Sequence, residues 1–182
     1  MLINLDSASE NVSNESLPAP RPWVRFWARS FDVYTFSIAV GILWGLIDAE
    51  SLDHVNNTLL SVLLTFSWLF VEGACVAIFG TTLGKWLLKI TILNHQGQKL
   101  TPAQAFQRSR LVWWRGTGLG IGIPKLIACI IGHSRLVREG ITTWDRDMGN
   151  TIVHGQISWW RGLIVGIALI LTFAISVYGY FL

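Results

Sequence analysis

The chain has 182 residues, 52% of them hydrophobic and 14% charged, with a mean hydropathy of +0.48. That balance excludes an ordinary water-soluble domain and points to a membrane protein. The formal net charge of +3 would also fit a nucleic-acid binder, but the basic residues flank apolar runs and form no separate patch. They suit anionic lipid headgroups, so the expected surroundings are a lipid bilayer and no nucleic acid.

In chain order, residues 1–20 (MLINLDSASENVSNESLPAP) are polar, rich in Ser and Asn, and end in two prolines. They predict a disordered tail. They lack the basic stretch and apolar core of a cleavable signal peptide, so the apolar run from about Trp23 to Ile47 reads as a retained first helix. The membrane domain is therefore expected over residues 21–182. On that first helix Arg25, Arg29 and Asp32 share one face, where Arg29 and Asp32 can pair and Arg25 can reach the headgroups. An acidic connection follows, with Asp48, Glu50 and Asp53.

The second apolar run, Leu59–Gly80, is long enough to cross a bilayer. Glu72 lies inside it and is the only charged residue between Asp53 and Lys85. An intramembrane carboxylate costs roughly 2–3.5 kcal/mol and faces a bundle interior, a partner or water. Glu72 reads either as a hydrogen-bonded packing group or as an ion or proton site. Thr65, two turns away on the same face, offers a second oxygen ligand. Asp32 and Glu72 on adjacent helices can together bind a hard cation or share a proton.

Between the second and third apolar segments the pattern changes. KITILNHQGQKL alternates around Ile90 and Ile92 and carries a turn at Gly97, which predicts a short hairpin. Thr101-Pro-Ala-Gln104 is a capping box, and the helix it opens, Pro102–Arg115, has an apolar side with Ala103, Phe106 and Trp113. Its other side carries Gln104, Gln107, Arg108 and Arg115, the pattern of a helix on a membrane surface. Arg110 projects near the apolar side, toward a lipid phosphate or a buried carboxylate.

The third segment, Gly116–Gly132, has glycines at 116, 118, 120 and 122, then Pro124 and Lys125. The fourth, Gly162–Leu182, has no charge. All 14 Lys and Arg lie at positions 21–29 or 85–161, which puts the N-terminus in the cytoplasm and the Asp48–Asn57 connection outside. The glycines and Pro124 favour an interrupted, re-entrant third segment, because a full span would leave Arg135, Arg138, Arg146 and Arg161 outside. The expected fold is all-α: a small helix bundle with three full spans, or four as the alternative, plus the cytoplasmic hairpin and surface helix. Cys75 and Cys129 read as small buried hydrophobes. The four histidines show no metal-ligand spacing, and Gly118–Gly122 is no dinucleotide fingerprint, so neither enzyme nor cofactor is expected.

Three stretches carry a resemblance. Arg25-Phe-Trp-Ala-Arg-Ser-Phe-Asp32 resembles the opening of the RDD family of bacterial membrane proteins, named for one arginine and two aspartates. FGTTLGKWLLKITILNHQGQKLTPAQAFQRS resembles its glycine-lysine turn, here Gly84-Lys85, with Leu83 where a proline is usual. WDRDMGNTIV resembles its aspartate segment, which makes Asp145 or Asp147 the second named aspartate and brings in Thr151. The resemblance covers about Pro22–Val153 and implies an inner-membrane protein linked with transport of unidentified solutes. On that reading Asp32 and Glu72 carry a cation or proton, and Arg25 and Arg29 set their electrostatics. Asp145 gates or anchors from the cytoplasmic side, and so small a bundle works as a homo-oligomer. A membrane scaffold whose charges only position helices is the reading from another class.

Overall fold

The computed structural model of the protein describes residues 21–118 and 122–181; the sequence-predicted tail and Gly120 lie outside them. The described chain is mostly helical. Helix α1 (Pro22–Ile47) begins on a proline, whose missing N–H costs nothing in a first turn. After the short α2 (Ala49–Asp53), α3 (Asn57–Phe79) starts where the Asn56 carboxamide accepts from the Thr58 and Leu59 amides. It ends at Gly80, whose φ of 73° is the left-handed cap that glycine adopts freely. Short α4 (Leu83–Leu87) leads into strand β1 (Ile90–Leu93), and α5 (Pro102–Gly116) follows. Then come α6 (Gly122–Glu139), the short α7 (Thr143–Asp147), strand β2 (Thr151–His154) and α8 (Trp159–Phe181). Among the described residues, α1 and α3 are long and apolar enough to cross a membrane, and Trp159–Ile175 of α8 is a shorter apolar stretch.

Three local expectations change. The strand read from KITIL does not fold back on its own sequence: β1 pairs antiparallel with β2, Ile90 opposite His154 and Leu93 opposite Thr151. The turn at Gly97 does form, with the Asn94 side chain accepting from the Gln96 and Gln98 amides. The local partner is lost because Ile92, fully buried between α3 and α5, needs a sheet neighbour that seals the same core, and Ile152 supplies it. Helix α5 carries the capping box, with Thr101 and Gln104 bonding reciprocally. It does not lie free on a surface, however. It runs antiparallel along α3, Phe106 against Phe70 and Trp113 against Phe66. Gly73 permits this approach, since a Cβ there would come within 2.7 Å of the Phe106 ring. The third segment is one unbroken helix over Gly122–Glu139, ending seven residues beyond the apolar stretch; Pro124 falls in its first turn, where proline is tolerated, and does not interrupt it.

The sheet is a wedge between two apolar clusters. Ala28, Phe31, Leu87, Ile90 and Val165 join α1, α4, β1 and α8. Val76, Ile92, Leu100 and Ala105 join α3, β1 and α5. A repeat also emerges from the fold. Helix α3, left-handed Gly80, Thr82, short α4 and β1 are echoed by α6, left-handed Gly140, Thr142, short α7 and β2. The two copies meet through the antiparallel strand pair, so Lys85 and Asp145, each three residues after its threonine, are brought to one centre.

Candidate functional site: a buried charge network

Glu72 is the hub. It is fully buried on α3, about 10 Å from the end of the helix at 1.5 Å per residue. Lys85 of α4 donates from Nζ to its Oε1 at 2.5 Å. Arg108 of α5 has Nη1 3.6 Å from the same oxygen, and Arg29 of α1 has Nη2 3.5 Å from Oε2. Three cations from three elements therefore surround one carboxylate, which compensates a charge that could not otherwise be buried.

A second carboxylate continues the network. Asp145 of α7 is completely buried. Its Oδ1 accepts from Arg108 Nε at 2.8 Å, and its Oδ2 accepts from the Thr142 hydroxyl at 2.6 Å. Arg25 Nη1 stands 3.8 Å from the same Oδ2. Arg108 thus bridges Glu72 and Asp145, joining α3, α5 and α7.

Asp32 is held separately. Its Oδ1 accepts from the Gly84 amide at 2.6 Å, and its Oδ2 accepts from the Thr82 hydroxyl. The spacing on α1 had suggested an Arg29–Asp32 pair, and the structure does not make it: Arg29 turns to Glu72. The amides at the start of α4 reach Asp32 because residue 84 is glycine. A Cβ there would strike the Ala28 carbonyl and stand 3.0 Å from Asp32 Oδ1.

The other sequence-predicted residues fall apart from this centre. The Thr65 hydroxyl donates to the Ser61 carbonyl at 2.7 Å, within its own helix, and offers Glu72 no ligand. Arg110 is exposed; Arg108, assigned to the polar side, is the buried one. The fully buried stripe of α5 is Ala105–Arg108–Ser109–Val112, beside the Phe106 and Trp113 rings that also pack on α3. Asp147 is exposed and pairs with Arg115 at 2.6 Å, a hydrogen bond that holds its carboxyl below the usual range. Thr151 is an exposed residue of β2. Of the two candidates for the second aspartate, Asp145 is the one in the network, held on the short helix α7. No group of three or more His, Cys, Asp or Glu among the described residues is placed to hold a metal.

Sequence reasoning missed His154. Its Nε2 accepts from Arg25 Nε at 3.2 Å, so the ring is neutral where it meets the network. Burial, reinforced by Arg25 and Arg21, pulls its pKa down to about 4.

A cavity of about 480 Å³ opens beside these charges. Arg25, Arg29, Lys85, Arg108, Glu72 and Asp145 are among its lining residues, and the rest of the wall is mainly apolar, including Phe26, Ile92, Cys129, Leu136 and Trp144. An arginine on α1 meets an aspartate 120 residues later, with a second aspartate seven residues along α1, which are the three positions the RDD resemblance assigned. The profile of the RDD family matches residues 19–182. The chain belongs to the RDD family. With its two long apolar helices, this RDD protein is a membrane protein. No curated protein and no solved structure matches it.

Proposed function

We propose that this RDD protein is a small transporter of the inner membrane that couples a proton at Glu72 to a solute in the charged cavity. The observation that carries this reading is the Lys85–Glu72 pair. A carboxylate inside a helix fit to span the membrane is neutralised by a lysine on a five-residue helix, and both line a cavity. Protonating Glu72 would release Lys85, Arg29 and Arg108 from their shared counter-charge and change how α4 and α5 are held. Occupancy and protonation are thereby linked, as exchange requires. A metal cation shared by Asp32 and Glu72 is the weaker form of the idea, since Thr82 and Gly84 already occupy Asp32 and Lys85 already occupies Glu72.

The charge asymmetry supports a cytoplasmic N-terminus, with the network near the cytoplasmic face. The Arg115–Asp147 pair brackets α6, so the chain leaves and returns on one side, in keeping with a re-entrant α6 and three spans. Few spans leave little room for a pathway, which favours a homo-oligomer. The scaffold reading rests on a specific observation of its own: all three buried carboxylates are met by donors from this chain, an arrangement that also locks helices together.

Proteoliposomes loaded with a pH-sensitive dye separate the two. A transporter acidifies or alkalinises the lumen when a gradient of sodium, potassium or an organic anion is applied, and Glu72→Gln abolishes the response while still inserting. Flux equal to that of protein-free vesicles for every solute would leave the scaffold.

A further inference from the structure

The cavity carries more positive charge than its own carboxylates balance. Arg25, Arg29, Lys85 and Arg108 line it together with Glu72 and Asp145, four cations against two carboxylates in a chamber whose other lining is mainly apolar. Two donors there make no hydrogen bond: Arg29 Nε and Arg108 Nη1 are buried without one, Nη1 having only the 3.6 Å ion pair to Glu72, and Arg108 as a whole is 5% exposed. A buried guanidinium N–H left unmade is costly, and a charged acceptor recovers that cost with a strong bond. The same wall carries Phe26, Cys129, Leu136 and Trp144, which give an amphiphile apolar surface close to the charges. The volume of about 480 Å³ is within the range of small-molecule sites.

We propose that this chamber binds an anionic amphiphile, a phosphate or phosphonate-like head held by Arg29 and Arg108 with an apolar chain lying between α1 and α6. This deepens the transport reading, on which it rests, by naming the solute class. The head takes over the compensation that Glu72 supplies, so binding the anion and protonating Glu72 assist each other. The same head chemistry comes from a free amphiphile or from a bilayer phospholipid entering beside α6, whose Ile123, Leu126, Ile127 and Ile130 are exposed.

Cys129, half-buried in the chamber wall, gives the readout. The full chain with Cys75→Ala, in phosphatidylcholine nanodiscs, is labelled with N-ethylmaleimide in the presence of decyl phosphate, inorganic phosphate or decyltrimethylammonium. Decyl phosphate should slow Cys129 labelling at least tenfold and raise the melting temperature. The cationic amphiphile should do neither, and inorganic phosphate should protect weakly. Arg29→Gln should weaken decyl phosphate about tenfold, the scale of one charge-assisted hydrogen bond. Leu136→Trp, which fills apolar space in the chamber and leaves the arginines in place, should abolish protection. If nanodiscs containing phosphatidylglycerol protect Cys129 with no amphiphile added, the bilayer is the source of the same head. Equal protection by the cationic amphiphile, or no protection by decyl phosphate or phosphatidylglycerol, overturns the proposal. Protection without proton flux would retain the anion site and remove transport; proton flux without protection would do the reverse.

Discussion

At the scale of single residues, Arg108 decides the network. It is the only described side chain that touches both Glu72 and Asp145, so its loss strands two buried carboxylates at once. Removing one partner of a buried pair typically costs about 3–5 kcal/mol, mostly from the uncompensated charge. Arg108→Gln should therefore lower thermal stability in detergent by that order, and Arg108→Gln with Asp145→Asn should recover part of it. Strictly additive losses would show the two residues uncoupled. Asp145, expected from sequence to matter for activity more than for folding, now belongs on the stability side as well. His154 gives a pH signature. Its folded pKa is near 4, against an ordinary value of 6.5, because burial and Arg25 disfavour the imidazolium. Above pH ~6.5 neither state is protonated and nothing is lost. As the pH falls from about 6.5 toward 4, the unfolded chain takes up a proton that the fold refuses, so stability declines, then levels below the folded value. His154→Gln should flatten that part of the acid limb in a melting-temperature scan from pH 7.5 to 4. An unchanged slope would mean that His154 is protonated alike in both states.

At the scale of elements, what was legible followed from local chemistry. The capping box of α5, its proline start at Pro102 and the turn at Gly97 were all readable because each is settled by neighbours within a few residues. The partner of β1 was not, because β2 lies about 60 residues downstream and its four residues carry little alternation of their own. The burial of Arg108 was equally hidden: helical spacing gives a face but not which helix covers it, and α3 covers the small-residue side. The Gly-x-Thr echo at residues 80–82 and 140–142 was visible in principle, yet its meaning needs the strand pairing that joins the copies. Within that echo Gly84 is the tightest point. Gly84→Ala would force α4 off α1 against a backbone carbonyl, break the amide bond to Asp32 and disturb Lys85 next to it. We expect a loss of roughly 2–4 kcal/mol, seen as a lower melting temperature and easier proteolysis after Lys85. By contrast Leu83→Pro, which would restore the residue usual at this turn, falls at the first position of α4, where proline is tolerated, and should leave stability within about 1 kcal/mol. A melting temperature for Leu83→Pro as low as that of Gly84→Ala would show that the turn, and not the close approach, is the constraint.

At the scale of the whole molecule, membrane topology determines which side of the bilayer the charge network faces. The network draws on α1, α3, α4, α5 and α7, so these five elements share one level of the structure. Arg161 at the start of α8 joins the same end, donating to the Trp86 carbonyl at 3.0 Å and stacking over the Trp86 ring. Helix α6 is about 27 Å long at 1.5 Å per residue, yet its C-terminal Glu139 pairs with Arg146, and Asp147 next to it pairs with Arg115 before α6 begins. A full crossing by α6 would set Arg115 and Asp147 on opposite sides of the bilayer. The pairing sets the residues flanking α6 side by side, and that is the observation behind the proposed re-entrant third segment. Single cysteines at Arg138 and after Leu182, in a chain lacking Cys75 and Cys129, can be challenged on intact cells with an impermeant thiol reagent. The C-terminal site should label and position 138 should stay protected until the cells are permeabilised. Labelling at 138 with a protected C-terminus would establish four spans, put Asp145 on the outer face, and on the proposed transport reading reverse the side from which Glu72 would take its proton.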